Sequence, residues 1–138
     1  MKIFIVSIKM LDLMLIQDDE TGITYFEYKP THARINNKHA PIFSGFLSAI
    51  QNVSKEMEMG KLTQISTETH HCLINAKPEL SVILIVDVED DIKYWRRKMR
   101  KTAQEFLKEF PNAKRLVSHS SRYLKFFENL QTFIPELD

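Results

Sequence analysis

The sequence predicts an α+β fold in which a five-stranded antiparallel-type sheet lies between layers of helices, a three-layer α/β/α sandwich. Segments with strand and helix periodicity follow one another in the order ββαβββαα. The first and fifth strands are apolar at consecutive positions, so both of their faces must be buried. The strand order 2-1-5-4-3 places those two strands in the middle of the sheet. A length of 138 residues suits a single domain spanning residues 1–138.

The first two strands are predicted as a hairpin. Leu11–Gln17 has the composition of a strand, residues 18–22 form a polar turn that ends in glycine, and Ile23–Tyr28 is rich in β-forming residues. Residues 1–9 are either an apolar N-terminal extension or the first part of strand one. A single strand over residues 2–17 would exceed the usual strand length, so we expect a bend near residues 9–11.

The first helix is predicted to begin with Pro41 and to end at Gly60. Proline fits the first helical position because no backbone donor is needed there. Gly45 and Ala49, four residues apart, leave room for close packing against another element. The apolar residues that recur at helical spacing are Ile42, Phe43, Phe46, Leu47, Ile50, Val53 and Met57.

The second half of the chain is predicted to supply three strands and two helices. Their ranges are Lys61–Glu68, His71–Ala76 and Ser81–Val88 for the strands, and Ile92–Phe110 and Ser120–Phe133 for the helices. Asp90 or Asp91 is expected to cap the first of these helices. The inward positions of the final helix are predicted to be Leu124, Phe127, Leu130 and Phe133.

Composition narrows the classes of function. The net charge of +1 argues against a nucleic-acid-binding domain, since such domains are markedly basic. Cys72 is the only cysteine, which excludes an internal disulfide or a thiolate zinc cluster and fits a reducing compartment. The N-terminal apolar run lacks a small-residue cleavage pattern and is shorter than the roughly 20 residues that span a bilayer. We expect a cytoplasmic protein, with peripheral membrane contact as an alternative.

No catalytic residue, metal ligand set or cofactor site is predicted. The sequence lacks a GxSxG elbow, a P-loop and a GxGxxG motif. His70 and His71 would point to opposite faces of a strand, as would His71 and Cys72, so neither pair suits a metal site or an activated thiol. Cys72 is expected to pack as a small apolar side chain. The acids at 87, 89, 90 and 91 are interpreted as charges that favour a helix N-terminus, with cation binding as the alternative.

A basic stretch without intervening acids is the first candidate interaction surface. It is predicted to lie on the second helix, where it could contact anionic lipid headgroups, a nucleic-acid backbone or an acidic protein surface. The alternative is a solvated helix face that keeps the protein soluble. The stretch comprises Lys93, Arg96, Arg97, Lys98, Arg100 and Lys101.

A second set of candidates consists of aromatic and apolar residues for a dimer or partner contact: Tyr25, Tyr28, Phe43 and Leu47. An exposed edge strand invites pairing with another chain. Along the second strand, alternation predicts that Phe26 and Tyr28 share one face and that Tyr25 lies on the other. Packing in the core is the alternative for each of these aromatic residues.

Two segments resemble the longin and roadblock group of small domains. Ile42–Ile50 is similar to the first helix of prokaryotic longin-like domains, and Val82–Asp90, followed by a long amphipathic helix, is similar to the last strand and second helix of longin and small-adaptin chains. In element order the resemblance covers residues 11–133. It implies a non-enzymatic scaffold in vesicle-trafficking or small-GTPase regulatory assemblies, often a homo- or heterodimer, whose partner is a small GTPase or another longin or roadblock protein. No coiled-coil heptads or membrane anchor of a longin SNARE follow.

Two other classes of function are alternatives for a chain with these elements. PAS-like and profilin-like sensor domains use similar elements around a central pocket, but they insert several short helices after the second strand, where this chain has one long helix. A small acyltransferase or thioesterase lacks support because no catalytic constellation is present. An apolar interior cavity would favour the sensor, and a filled core with an exposed strand or helix would favour the interaction module.

Overall fold

The computed structural model describes residues 10–30, 39–77, 80–111 and 120–137. The elements are β1 (Leu11–Gln17), β2 (Thr24–Tyr28), α1 (His39–Glu56), β3 (Gln64–Ser66), β4 (His70–Lys77), β5 (Leu80–Asp87), α2 (Ile92–Glu109) and α3 (Ser120–Phe133). The predicted order of elements is confirmed. The expectation for residues 1–9 lies outside the described residues.

The five strands form one sheet in the order β2-β1-β5-β4-β3, with every neighbouring pair antiparallel. This is the predicted order. All residues of β1 are buried, and β5 is buried from Leu80 to Val86. Apolar side chains on both faces of these two strands exclude them from an edge, because an edge strand would leave part of that surface in water.

Helices cover both faces of the sheet. On one face, α2 and α3 pack against side chains that include Met14, Val82 and Leu84. On the other face, Leu47 of α1 packs against a smaller cluster that includes Leu13 and Ile83. Neighbouring residues in each strand therefore belong to different clusters, as strand geometry requires. The predicted three-layer arrangement is confirmed.

The edge strand β3 is much shorter than predicted, since it covers Gln64–Ser66 instead of Lys61–Glu68. A side chain of α1 explains the late start. Gln51 accepts a hydrogen bond from the Leu62 backbone N–H at 3.1 Å and donates one to the Leu62 carbonyl at 3.3 Å. The backbone of Leu62 is thereby paired with a helix side chain and not with a strand.

The predicted alternation along β2 is wrong at Tyr25. The register with β1 shifts by one residue there, which makes Tyr25 the extra residue of a β-bulge. A bulge turns two successive side chains toward the same side, so Tyr25, Phe26 and Tyr28 all reach the layer of α2 and α3. Their ring partners are Phe106 at 6.0 Å, Phe126 at 5.2 Å and Phe127 at 5.3 Å, respectively.

One further prediction of side-chain direction needs correction. In α3, Leu124 is 59% exposed, whereas Phe126 is fully buried against Phe106 and Phe110. The inward stripe of that helix is therefore shifted by two residues from the predicted one at its start, while Leu130 is buried as expected.

Helix α1 begins at His39, two residues before its predicted start. Pro41 then lies in the first turn, where a missing backbone donor leaves no hydrogen bond unmade. Gly45 and Ala49 were expected to permit close packing, but both are exposed, and a Cβ atom at Gly45 would meet nothing within 4 Å. The helix contacts the sheet through a different side.

The turn between β1 and β2 is held by the buried carboxylate of Asp18. One oxygen accepts hydrogen bonds from the backbone N–H groups of Glu20 and Thr21, both at 2.9 Å, and the other accepts from the Tyr25 hydroxyl at 2.9 Å. Desolvation by burial is the largest single influence on the pKa of Asp18 and opposes ionisation. The hydrogen bonds from Thr21, Tyr25 and Glu20 together outweigh it, so the pKa is lowered.

We predict that Asp18→Ala destabilises the fold by about 1–3 kcal/mol, because three donors lose their acceptor. Asp18→Asn should lower the free energy of unfolding by less, because the amide oxygen still accepts hydrogen bonds. The remaining loss measures the contribution of the negative charge. A lowered folded-state pKa gives stability that is present above the unfolded-state pKa and is lost as the pH falls through the folded-state value. Urea unfolding at several pH values measures both effects. Glu20→Ala, in the same turn, is the control, and equal costs for Ala at 18 and 20 would contradict the prediction.

Candidate functional site

The basic stretch lies on α2 as predicted, but Arg96 is occupied by the fold. Its guanidinium donates hydrogen bonds to the carbonyls of Thr63 at 2.7 Å and of Ile74 at 3.1 Å. These carbonyls lie on the segment before β3 and on β4, where the sheet edge begins. Arg96 is half-buried and ties α2 to that edge, which is a structural role that the sequence did not indicate.

Two lysines of the stretch lie over aromatic rings. Lys98 Nζ is 5.0 Å from the centre of the Tyr94 ring, and Lys101 Nζ is 4.6 Å from the centre of the Phe133 ring. Cation–π contacts of this kind contribute on the order of 0.5–1 kcal/mol at exposed sites. The basic stretch therefore makes two kinds of contact. Arg96 binds the β3–β4 edge, and Lys98 and Lys101 lie over aromatic rings.

The remaining members of the stretch, Lys93, Arg97 and Arg100, are exposed. Their spacing places them on one side of α2, as predicted. Trp95 and Met99 are buried on the opposite side and hold the helix against the sheet. These three cations, like Lys101, are open to solvent and could meet an anionic surface.

The acids at the start of α2 separate into two roles. Asp91 is the N-cap, and its carboxylate accepts from the Lys93 backbone N–H at 2.9 Å. Asp90 is buried and accepts from the Met10 backbone N–H at 2.7 Å and from the Trp95 indole at 2.9 Å. Burial raises the pKa of Asp90, against the effect of these two hydrogen bonds, and Asp87 and Asp12 raise it further.

A second acidic group lies at the same end of the sheet. Asp12 is fully buried where the register of β1 with β5 shifts, and its carboxylate lies 2.9 Å from Nε2 of His70. His71 points away from this pair, toward Ser66 on β3 at 2.7 Å. Among the described residues, no group of three or more His, Cys, Asp or Glu side chains is placed to hold a metal ion. At this end of the sheet, Asp91 caps α2, Asp90 binds the Met10 backbone and the Trp95 indole, and Asp12 pairs with His70.

Three of the four predicted contact residues pack largely against the core, and the fourth is inside it. Tyr25 and Tyr28 are half-buried against α2 and α3, and Phe43 is half-buried against the sheet. Leu47 is 1% exposed. The structure therefore offers little of these side chains to another chain.

An exposed apolar surface lies instead on the side of α1 that faces away from the sheet. We call it the α1 outer face and define it by Phe46, Val53 and Met57, which are 50%, 55% and 63% exposed. Their spacing of seven and four residues places them on one stripe of the helix. The sheet side of α1 carries buried Gln51 and half-buried Ser54. The sheet side of α1 thus combines buried Leu47 with polar Gln51, while large apolar side chains on the opposite side face solvent.

The sequence contained these three residues but did not indicate their direction. Periodicity defined one broad apolar stripe that ran from Ile42 to Met57, and a stripe of that kind normally faces the core. The buried amide of Gln51, which binds the backbone of Leu62, turns the helix so that only one margin of the stripe meets the sheet. The sequence carried no signal of this, because the burial of Gln51 follows from its contact with Leu62 in the folded chain.

Cys72 packs in the core beneath α1, as predicted, and is a free thiol with 6% of its surface exposed. Burial raises its pKa to about 12, although the nearby Arg96 charge acts in the opposite direction. A thiolate is the reactive form of cysteine, so this side chain is poorly suited to nucleophilic chemistry.

Comparison with known proteins places the chain in no group. The sequence matches no protein-family model and has no significant match among curated proteins. Among the helices that the structure describes, none combines the length and apolar character needed to cross a bilayer.

We predict that Cys72 resists alkylation by iodoacetamide at pH 8 in the native protein and reacts fully in urea, because the thiol is buried and protonated. Mass spectrometry of timed samples measures the reaction. The double variant Cys72→Ser, Asn52→Cys, which moves the thiol to an exposed position of α1, should react without denaturant. Rapid labelling of native Cys72 would contradict the assignment to the core.

We predict that Asp90→Asn flattens the pH dependence of stability. Because the folded-state pKa of Asp90 is raised, the proton that it holds favours folding at low pH, and this stability is lost as the pH rises through the folded-state pKa. The free energy of unfolding of the native protein should fall relative to the variant from about pH 4 toward neutral pH. Glu89→Gln, exposed and adjacent, is the control. A difference between native and variant protein that does not change with pH would refute the prediction.

Proposed function

We propose that this chain is a non-enzymatic protein-interaction module of the longin or roadblock type, with the α1 outer face as its docking surface. The observation that carries the proposal is the apolar surface that α1 leaves in solvent on the side away from the sheet. Phe46, Val53 and Met57 face solvent while Gln51 is buried. Contiguous exposed apolar surface on a small domain is typical of an interaction site.

These three residues leave apolar surface in water that a partner could cover. Complete burial of a valine, methionine or phenylalanine side chain is worth about 1.5–3 kcal/mol each. A partner that covered all three would recover much of that free energy. The helix itself is held by Leu47 and by the hydrogen bonds of Gln51, so its outer face is presented on a fixed element.

The occupant that we propose is a second domain of this kind, either another copy or a related chain. A stripe of three apolar residues along a helix can pack against an identical stripe about a twofold axis, since such an interface is self-complementary. The resemblance of Ile42–Ile50 and Val82–Asp90 to longin-like chains supports the same class of partner. Vesicle-trafficking assemblies and small-GTPase regulators are the settings in which such domains associate.

A small-molecule sensor of the PAS or profilin type is the alternative. A sensor needs an apolar cavity between its sheet and helices. In the described part of this chain, both faces of the sheet are filled by side chains that pack against helices. The core thus favours the interaction module over the sensor.

We predict that Val53→Glu lowers the self-association of the protein, because it places a charge in the middle of the α1 outer face. Light scattering after size-exclusion chromatography across a range of concentrations measures the change. The native chain should show a mass above that of a monomer at high concentration, and the variant should remain monomeric. Asn52→Glu introduces the same charge on an exposed neighbouring position outside the stripe and should behave like the native protein.

The same three proteins serve as baits for a related partner. A partner that docks on the α1 outer face is retained by the native chain and by Asn52→Glu and is lost with Val53→Glu. A small GTPase in that complex would bind in a manner that depends on its nucleotide. A native chain that is monomeric at every concentration and retains no partner sensitive to Val53→Glu would overturn the proposal.

A further inference from the structure

A shallow groove of about 190 Å³ opens between α2 and the β3–β4 edge of the sheet, away from the α1 outer face. Its walls come from the segment before β3, from the end of β4 and from one side of α2. The lining residues are Lys61, Leu62, Thr63, Ile74, Asn75, Ala76, Arg96 and Arg100.

The charged residues that line this groove are all positive. Lys61, Arg96 and Arg100 line it, and none of the described lining residues is acidic. Arg96 and Arg100 are four residues apart on α2, so their side chains leave the helix on the same side. The mutual repulsion of these two cations is one reason for a counter-ion to be favoured between them.

A buried donor supports the same conclusion. The side-chain Nδ2 of Asn75 is buried and has no hydrogen-bond partner in the described part of the chain. An amide donor left without an acceptor costs about 1–3 kcal/mol, so rotation of the Asn75 side chain toward an anionic oxygen in the groove would be favoured. Asn75 belongs to β4 and lies on the α2 side of the sheet, beside Leu73, which packs in the cluster under α2.

The walls of the groove are held in place before any ligand arrives. Gln51 fixes the backbone of Leu62 through two hydrogen bonds. Arg96 bridges the carbonyls of Thr63 and Ile74. A site on fixed elements loses little conformational entropy when it binds, and this favours recognition of a small ligand.

We propose that this groove binds a phosphate group, with Arg100 and Lys61 as its direct cationic contacts, the Asn75 amide as a donor and Arg96 as a fixed positive charge. The groove is smaller than the roughly 300–1,000 Å³ of sites for drug-sized ligands, so it suits a single phosphate and not a whole nucleotide. A phosphate monoester carries a charge of about −1.5 to −2 and three acceptor oxygens, which match the cations and the amide. Guanidinium groups bind such oxygens in pairs.

The site is separate from the proposed docking surface, so the two proposals stand or fall independently. The phosphate could be free in solution or part of a lipid headgroup, because the contacts engage the phosphate oxygens alone. Free phosphate and a lipid headgroup would bind through the same residues, so each is tested with its own probe.

The direct test is titration of the ¹⁵N-labelled full chain with sodium phosphate at pH 7, with ionic strength held constant by sodium chloride. The side-chain amide resonances of Asn75 should shift and saturate. Arg100→Gln and Lys61→Gln should each weaken binding about tenfold, as expected for loss of one charge-assisted hydrogen bond. Asn75→Asp keeps the shape of the side chain and adds a negative charge; followed through the backbone amide resonances of Ile74 and Ala76, it should abolish the response to phosphate.

Arg97→Gln removes an exposed cation from the same helix outside the groove, and it should leave phosphate binding unchanged. A vesicle arm compares phosphatidylcholine with and without a phosphoinositide. Vesicle binding that requires Arg100 supports a headgroup ligand, and a saturable response to inorganic phosphate alone supports a free one. The proposal is overturned if neither probe perturbs Asn75, or if Arg97→Gln weakens binding as much as Arg100→Gln does.

Discussion

The pairing of β1 with β5 at the centre of the sheet is the constraint on which the other elements depend. Pairs such as Met14 with Leu84 and Ile16 with Val82 supply side chains to the cluster under α2 and α3, while Leu13 and the residues opposite it supply the cluster under α1. Neither helix layer has a complete surface to pack on without both strands. Loss of this pairing would therefore separate both layers from the core.

Much of the fold could be predicted because its strongest patterns are local. The consecutive apolar residues of β5 require a central strand, and the start of α2 follows from Asp91 and the apolar stripe that begins at Ile92. The features that could not be predicted depend on contacts between distant residues. The bulge at Tyr25 is visible only in the register with β1. The short β3 and the direction of α1 both follow from one side chain, Gln51, and its contact with Leu62.

In the candidate sites, too, local patterns could be predicted and contacts between distant residues could not. The basic stretch was found because six cations lie close together in the sequence, but its members differ in role. Arg96 binds backbone carbonyls, and Lys98 and Lys101 lie over aromatic rings. Sequence proximity could not show which cations remain available. Lys61 and Asn75 were not singled out, since only the folded chain brings them beside Arg100.

The central position of β1 has a consequence for synthesis of the chain. Its partner β5 is contributed by a much later part of the sequence, as the pairs Gln17 with Ser81 and Leu11 with Val86 indicate. On the ribosome, the β1–β2 hairpin emerges before β5, and until then the faces of Leu13 and Ile16 that β5 helps to bury stay uncovered. Nascent segments of this kind are prone to aggregate, and long-range strand pairing closes slowly. The time for which these faces stay uncovered is therefore set by how soon β5 leaves the exit tunnel.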